Sequence, residues 1–207
     1  MPFLTYNLKL NRNDGDRMKI YTRTGDGGET GLATGKRVLK CSLRIEAYGS
    51  VDEANVAAGT LRTMIEPNVA LFRDESAQLL DIQSQLFSIG SELALSPLMI
   101  EKSDQQFAIG DKNIICLEES MDRMDSELCP LRNFVLPGGS MINSSAHQLR
   151  VTVRRAERAT IRLNNEEPVR NEVIRYLNRL SDWSFVLSRL ASSRLGTIET
   201  PWTPRGK

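Results

Sequence analysis

The sequence predicts an all-α fold, a five-helix bundle preceded by an irregular glycine-rich N-terminal segment. Three observations predict it. Apolar residues recur at alternating three- and four-residue spacings in five separate stretches, which places each set on one helix face. Proline, glycine and polar turn residues fall between those stretches. The region ahead of the first stretch is turn-forming rather than periodic. Five one-sided helices need a shared core, and a bundle is the simplest arrangement that supplies one.

The elements follow in order. The leader "KIYTRTGDGGETGLATGK", residues 19–36, holds five glycines and four threonines among Arg23, Asp26 and Lys36. Glycines let backbone N–H groups approach an anion, and threonine hydroxyls add donors. Yet the P-loop pattern fails, because Gly31 to Gly35-Lys36 is one spacer short and Arg37 follows. The dinucleotide fingerprint fails too, with Thr30 where its third glycine belongs. A phosphate cradle and a solvated turn-rich leader both stay open.

The first helical stripe is Val51, Ala54, Ala58, Leu61 and Ile65, and Pro67 lies between it and the second. The second is Leu79, Ile82, Leu86, Ile89 and Leu93, followed by the linker 96–111. The third is Ile114, Leu117, Met121, Met124 and Leu128. Between it and the fourth lies "CPLRNFVLPGGS", residues 129–140, with Pro137-Gly138-Gly139 as a turn and Ser140 as an N-cap. The fourth runs through Ile142, Ala146, Leu149, Val153, Ala156, Thr160 and Leu163. Pro168 marks the start of the fifth, which carries Val169, Val173, Tyr176, Leu180, Trp183, Leu187 and Leu190. The tail after Gly196 is expected to be irregular.

Composition narrows the function classes. A chain of 207 residues fits one domain, read here as 18–207 behind a loose tail at 1–17. The net charge of +1 gives no global field for nucleic acid. No apolar run reaches the ~20 residues of a membrane span. Cys41, Cys116 and Cys129 form no C-x-x-C and read as reduced core-filling thiols in a cytoplasmic protein. His147 is the single histidine, so no multi-histidine metal site is possible and direct metal ligation by the protein is not expected.

The chemistry concentrates in "HQLRVTVRRAERATIR", residues 147–162. Arg150, Arg154, Arg158 and Arg162 repeat every four residues and share a face, while Arg155 turns ~100° away from Arg154. Five arginines meet one carboxylate, Glu157, whereas an exposed helix ordinarily interleaves signs. Such a row repels itself unless an anion answers it, and arginine forks suit phosphate. A solvated basic face is the bland alternative, and an RNA-binding stripe lacks aromatic interleaving. Asp52 sits beside Val51, Arg150 beside Leu149, and Asn178 and Asp182 are spaced i,i+4 next to Trp183. A carboxylate at the edge of a buried stripe usually finds a cation, so an Asp52–Arg150 pair across helices or subunits is one reading and two solvated charges the other.

"YTRTGDGGETGL", "YGSVDEAN", "FVLPGGS", "RRAER" and "NRLSDWSF" occur in that order. Together they resemble the ATP:cob(I)alamin adenosyltransferases of the propanediol-utilisation (PduO) type, from about residue 18 to 205. The resemblance implies a homotrimer of five-helix bundles with sites between subunits, and transfer of the 5′-deoxyadenosyl group of ATP to cobalamin with release of triphosphate. It implies that Thr22, Arg23, Thr24, Gly25, Thr30, Gly31 and Lys40 wrap ATP. Arg154, Arg155, Ala156, Glu157 and Arg158 match the nucleotide-binding helix segment, and Asn178 its partner on the fifth helix. Asp52 and Arg150 match an inter-subunit salt bridge that orders the corrinoid site, and Phe134 matches an aromatic on the lower face of cobalt. Asp52, Phe134, Arg150 and Arg154 are thus the candidate catalytic residues, with Mg²⁺ accompanying ATP and a separate reductase delivering Co(I). No membrane or nucleic-acid partner is expected.

Co(I) is itself a strong nucleophile, so a protein contributes placement and electrostatics, and the lack of a catalytic histidine fits. An apolar group below cobalt would exclude water and the dimethylbenzimidazole base and so ease reduction of Co(II). His147 reads as structural, since axial ligation would oppose that chemistry. Glu29 departs from the resemblance by adding a negative charge near the expected triphosphate. A non-catalytic corrinoid or nucleotide carrier and an RNA-associated helical protein remain the alternatives.

Overall fold

The computed structural model of the chain describes residues 21, 23–32, 35–95 and 108–204. The expected tail at 1–17, Thr22, most of the 96–111 linker and the last three residues lie outside the described residues. A short antiparallel hairpin, β1 Glu29–Gly31 with β2 Arg37–Leu39, comes first. Five α-helices follow: α1 Leu43–Ile65, α2 Arg73–Ala94, α3 Asp111–Asp125, α4 Met141–Asn164 and α5 Asn171–Arg194. Two further strands, β3 Val135–Leu136 and β4 Thr200–Pro201, pair antiparallel.

Helix contacts give the order α2, α1, α4, α5, α3. Hydrogen bonds close it: α5 reaches back to α2 through Tyr176 Oη donating to Gln85 Oε1 at 2.5 Å, and Arg170 grips Glu92 with two bonds of 2.9 Å. The α1–α4 packing uses small residues. Ala47, Ala54 and Ala58 on one helix and Ala146, Ala156 and Ala159 on the other are all essentially fully buried. Side chains that short let two helix backbones approach closely and fix the relative positions of the charges at their edges. Trp183 is fully buried, yet its Nε1–H still finds Ser120 Oγ at 3.0 Å, which ties α5 to α3. Arg44, at the start of α1, is buried because it donates to the Leu93 and Leu95 carbonyls at the end of α2, at 2.7 and 2.6 Å.

The stripes are the core. Every residue of the first, second and fourth is buried, and in the third and fifth only Met121, Leu128 and Val169 are partly exposed. Leu128 and Val169 flank their helices instead of lying in them. Ser140 caps α4, accepting from the Asn143 amide at 3.0 Å. Pro67 lies between the first two helices as expected, in a 3₁₀ turn, Glu66–Leu71, that joins α1 to α2. Pro168 precedes α5 by three residues instead of opening it. Three expectations need correction. The glycine-rich leader contains a hairpin, the tail contains β4, and all three cysteines are exposed instead of filling the core. Short strands escape a periodicity reading because two or three residues hold no period. Among the described residues, no helix is long and apolar enough to cross a membrane.

Candidate active site

The leader folds into a compact turn-and-hairpin unit. Arg23 adopts φ +59°, the left-handed region that a non-glycine residue rarely occupies, and its guanidinium lies 5.6 Å over the Tyr21 ring. The Lys40 amide donates to the Gly28 carbonyl at 2.9 Å, which folds the segment back on itself. Lys40 Nζ then lies against Gly25, 3.3 Å from where a Cβ on that glycine would project. Arg37 Nη2 donates to the Thr24 carbonyl at 2.7 Å, and its Nε approaches Glu29 Oε2 at 3.4 Å. Thr24, Gly25 and Lys40 are therefore gathered at one end of the hairpin, while Thr30 and Gly31 lie on β1 opposite Val38 and Arg37. The charge of Glu29 is answered by Arg37, a residue the sequence reading passed over.

The basic face of α4 is as uneven as its composition. Arg155 is ion-paired with Glu53 of α1. Glu157 accepts from Asn178 Nδ2 at 3.0 Å, so two of the expected nucleotide residues meet across α4 and α5. Arg154 and Arg158 are exposed, and among the described residues neither has a carboxylate within ion-pair distance. Ala156 is fully buried. Its methyl packs between α1 and α4.

Asp52 and Arg150 are both partly buried, at the edges of α1 and α4. Within one chain no ion pair joins them, and neither has a carboxylate or cation partner among the described residues. Arg150 Nε instead donates to His147 Nδ1 at 3.3 Å. That bond makes Nδ1 the unprotonated nitrogen and leaves a proton on Nε2, a buried atom without a partner among the described residues. Partial burial and then the Arg154 charge hold the Arg150 guanidinium below its ordinary pKa. Burial first, and the Arg150 cation second, push the His147 imidazole down to about 4.

The His147 shift has a measurable consequence. An unfolded chain protonates this histidine near pH 6.5 and the native one near 4, so the unfolded state binds more protons between those values. Stability should therefore fall as pH drops through that window, with no further loss from this group below it. The melting temperature of His147→Gln should depend less steeply on pH between about 4 and 6.5 than that of the native chain. Parallel curves from differential scanning fluorimetry would contradict the assignment.

Phe134 stands apart from these groups in the connection between α3 and α4. It is 77% exposed, second only to Ile198 among the large apolar residues described. Its loop is nonetheless held. Phe134 O accepts from the Trp202 amide at 2.7 Å, and β3 begins at the next residue. An aromatic ring left in solvent on a fixed backbone can cover an apolar ligand face. No cluster of three His, Cys, Asp or Glu side chains among the described residues could hold a metal ion.

The family profile described as Cobalamin adenosyltransferase matches residues 20–191. The corrinoid adenosyltransferase of Bacillus subtilis (strain 168) is 40% identical over 179 residues, 86% of this chain and 89% of the relative. The cobalamin adenosyltransferase of Cupriavidus metallidurans is 41% identical over 189 residues, 91% and 96% of the two chains. Among solved structures, a variant PduO-type ATP:corrinoid adenosyltransferase from Lactobacillus reuteri, complexed with cobalamin and ATP, superposes with a TM-score of 0.82 at 31% identity, over 90% of this chain and 100% of that one.

Proposed function

The chain belongs to the cobalamin adenosyltransferase family, and from that premise we propose how its residues do the work: it transfers the 5′-deoxyadenosyl group of ATP to cob(I)alamin, forming adenosylcobalamin and releasing triphosphate. The cobalt lone pair attacks C5′, a Co–C bond forms, and the C5′–O bond breaks with its electrons leaving on the triphosphate. Holding cobalt, C5′ and the leaving oxygen in line can be worth roughly 7–11 kcal/mol. The observation that carries the residue assignment is the row of arginines on α4, in which no carboxylate among the described residues is within ion-pair distance of Arg154 or Arg158, beside the Glu157–Asn178 bond.

In this reading Arg154 and Arg158 take the triphosphate, and Arg155 contributes at the cost of its Glu53 partner. Arg23, Thr24, Gly25, Thr30, Gly31 and Lys40, with Thr22 beside them, close over the nucleotide. Glu157 and Asn178 form one polar unit for the adenosine, with Ala156 as the close-packed spacer behind it. Mg²⁺ enters with ATP on phosphate oxygens. Phe134 lies under the corrin ring and keeps water and the dimethylbenzimidazole base off cobalt, which favours reduction of Co(II) by a separate reductase. Asp52 pairs with Arg150 of a neighbouring copy, so the working unit is a homotrimer in the cytoplasm. The domain runs from about residue 18, and 1–17 is a tail outside it.

The test is an anaerobic mixture of the protein, MgATP and chemically reduced cobalamin, followed by visible spectroscopy. The adenosylcobalamin spectrum should appear with one triphosphate per Co–C bond. ATP and corrinoid binding without that bond would favour the non-catalytic carrier.

A further inference from the structure

The C-terminal segment, expected to be irregular, makes four separate contacts with the neighbourhood of Phe134. β4 pairs with β3, so Val135 lies opposite Pro201 and Leu136 opposite Thr200. The Trp202 amide donates to Phe134 O at 2.7 Å. Thr197 and Ile198 pass over the turn after β3, where a Cβ on Gly139 would meet Thr197 Oγ1 at 3.5 Å and the Ile198 carbonyl at 3.8 Å. Glu199 reaches Arg189 of α5, with Oε1 to Nε at 3.4 Å.

Arg189 joins the two legs of this arrangement. Its side chain is 8% exposed, and its Nη2 donates to the Cys129 carbonyl at 2.7 Å, at the beginning of the loop that carries Phe134. One buried guanidinium thus donates to the start of that loop and, without a hydrogen bond, lies within ion-pair distance of Glu199, the residue before β4. The turn beyond is fixed from α4. Asn143 Oδ1 accepts from the Gly138 amide at 2.9 Å, while Asn143 Nδ2 donates to the Ser188 carbonyl at 2.9 Å and Ser192 Oγ at 3.0 Å. The loop backbone is therefore tied down on three sides while the Phe134 ring stays in solvent. A hydrophobic core would have buried that ring, so the ties serve its placement and not its burial.

We propose that the segment 197–202 is a strap, anchored by Arg189, that sets the height of Phe134 beneath the corrin ring; Arg189 and the Trp202 amide are positioning groups for the reaction. The inference rests on the reading of Phe134 as the lower-face group. A ring displaced by even an ångström lets a water or the dimethylbenzimidazole base back onto Co(II), and misplacement on that scale can cost on the order of 10²-fold in rate. Co(I) carries no lower ligand, so the strap matters before reduction and little after it.

The experiment uses Trp202→Pro, which removes the N–H that bonds Phe134 O, and Arg189→Lys, which keeps the charge but not the fork. Trp202 is about half exposed and lies outside the core, so its variant should retain the fold. Each full-length variant is assayed with MgATP from Co(II)cobalamin plus a reductant system and, separately, from cobalamin already reduced to Co(I). Both variants should lose on the order of 10-fold to 10²-fold in the first assay and stay within about threefold of native in the second. Electron paramagnetic resonance of bound Co(II) should show a larger share of signal split by the dimethylbenzimidazole nitrogen. Equal rates and spectra in both variants, alongside a Phe134→Ala control that does lose the Co(II) reaction, would overturn the strap and leave the Phe134 reading standing. A Phe134→Ala control that behaves as native would overturn both.

Discussion

Arg154→Ala should lower kcat/KM for adenosyl transfer by on the order of 10²–10³, and the loss should persist when the assay starts from Co(I). The expectation comes from the charge arrangement on α4. Arg155 is engaged by Glu53, and Glu157 is engaged by Asn178. Arg154 is exposed, with no carboxylate among the described residues in ion-pair distance, one helical turn from Arg150 and one from Arg158. Three cations so spaced repel one another, and a departing triphosphate, whose charge grows as the C5′–O bond breaks, relieves that repulsion more in the transition state than before it. The effect should therefore fall on kcat at least as much as on KM. Arg154→Lys should recover part of the rate, since a point charge replaces a fork. Arg162→Ala, one turn beyond Arg158 and equally exposed, should stay within about threefold of native. Equal losses at 154 and 162 would mean that the face works only through its summed field, and the site assignment would fail.

The bundle was legible because each helix is long enough to repeat its period several times. Ile82, Leu86 and Ile89, or Tyr176, Leu180 and Trp183, announce a buried face by spacing alone, and all of them are buried. What escaped the sequence depends on pairing between distant residues. Nothing local to Thr200–Pro201 marks a strand, and only its partner at Val135–Leu136 creates one. Arg37 and Glu53 escaped for a related reason: each matters through the charge it neutralises, Glu29 or Arg155, and a charge partner is fixed by the fold. The exposed cysteines show the limit of composition: Cys116 is on the outer side of α3, and Cys41 and Cys129 lie in connections that no periodicity reaches. Of the residues proposed to meet ligand, Arg154 and Arg158 stand out through the uninterrupted arginine row of α4, whereas Phe134 is singled out by the ordered sequence blocks alone, because an exposed aromatic obeys no packing rule of its own.

Asp52→Arg should nearly abolish adenosyl transfer, and adding Arg150→Asp should restore at least tenfold of what was lost. Among the described residues of a single chain Asp52 has no cation within ion-pair distance, and Arg150 donates to the His147 nitrogen. Both lie at the edges of α1 and α4, where desolvation and the neighbouring Arg154 already hold the Arg150 guanidinium below its ordinary pKa. A partly buried cation repelled by its own helix is costly unless an anion arrives from outside the chain. The Asp52 carboxylate of a second copy fits that need, and in the proposed trimer a head-to-tail contact repeated round the threefold axis would satisfy every copy at once. Asp52→Arg would set a third cation against Arg150 and Arg154, so sedimentation should show weakened assembly together with lost activity. The double exchange restores opposite signs and should recover both, with a coupling of roughly 0.5–3 kcal/mol. If the double variant is no better than Asp52→Arg alone, the two residues do not meet, and the cleft between copies must be closed by other charges. If assembly survives Asp52→Arg while activity is lost, the carboxylate acts on the bound substrates and not on the neighbouring subunit.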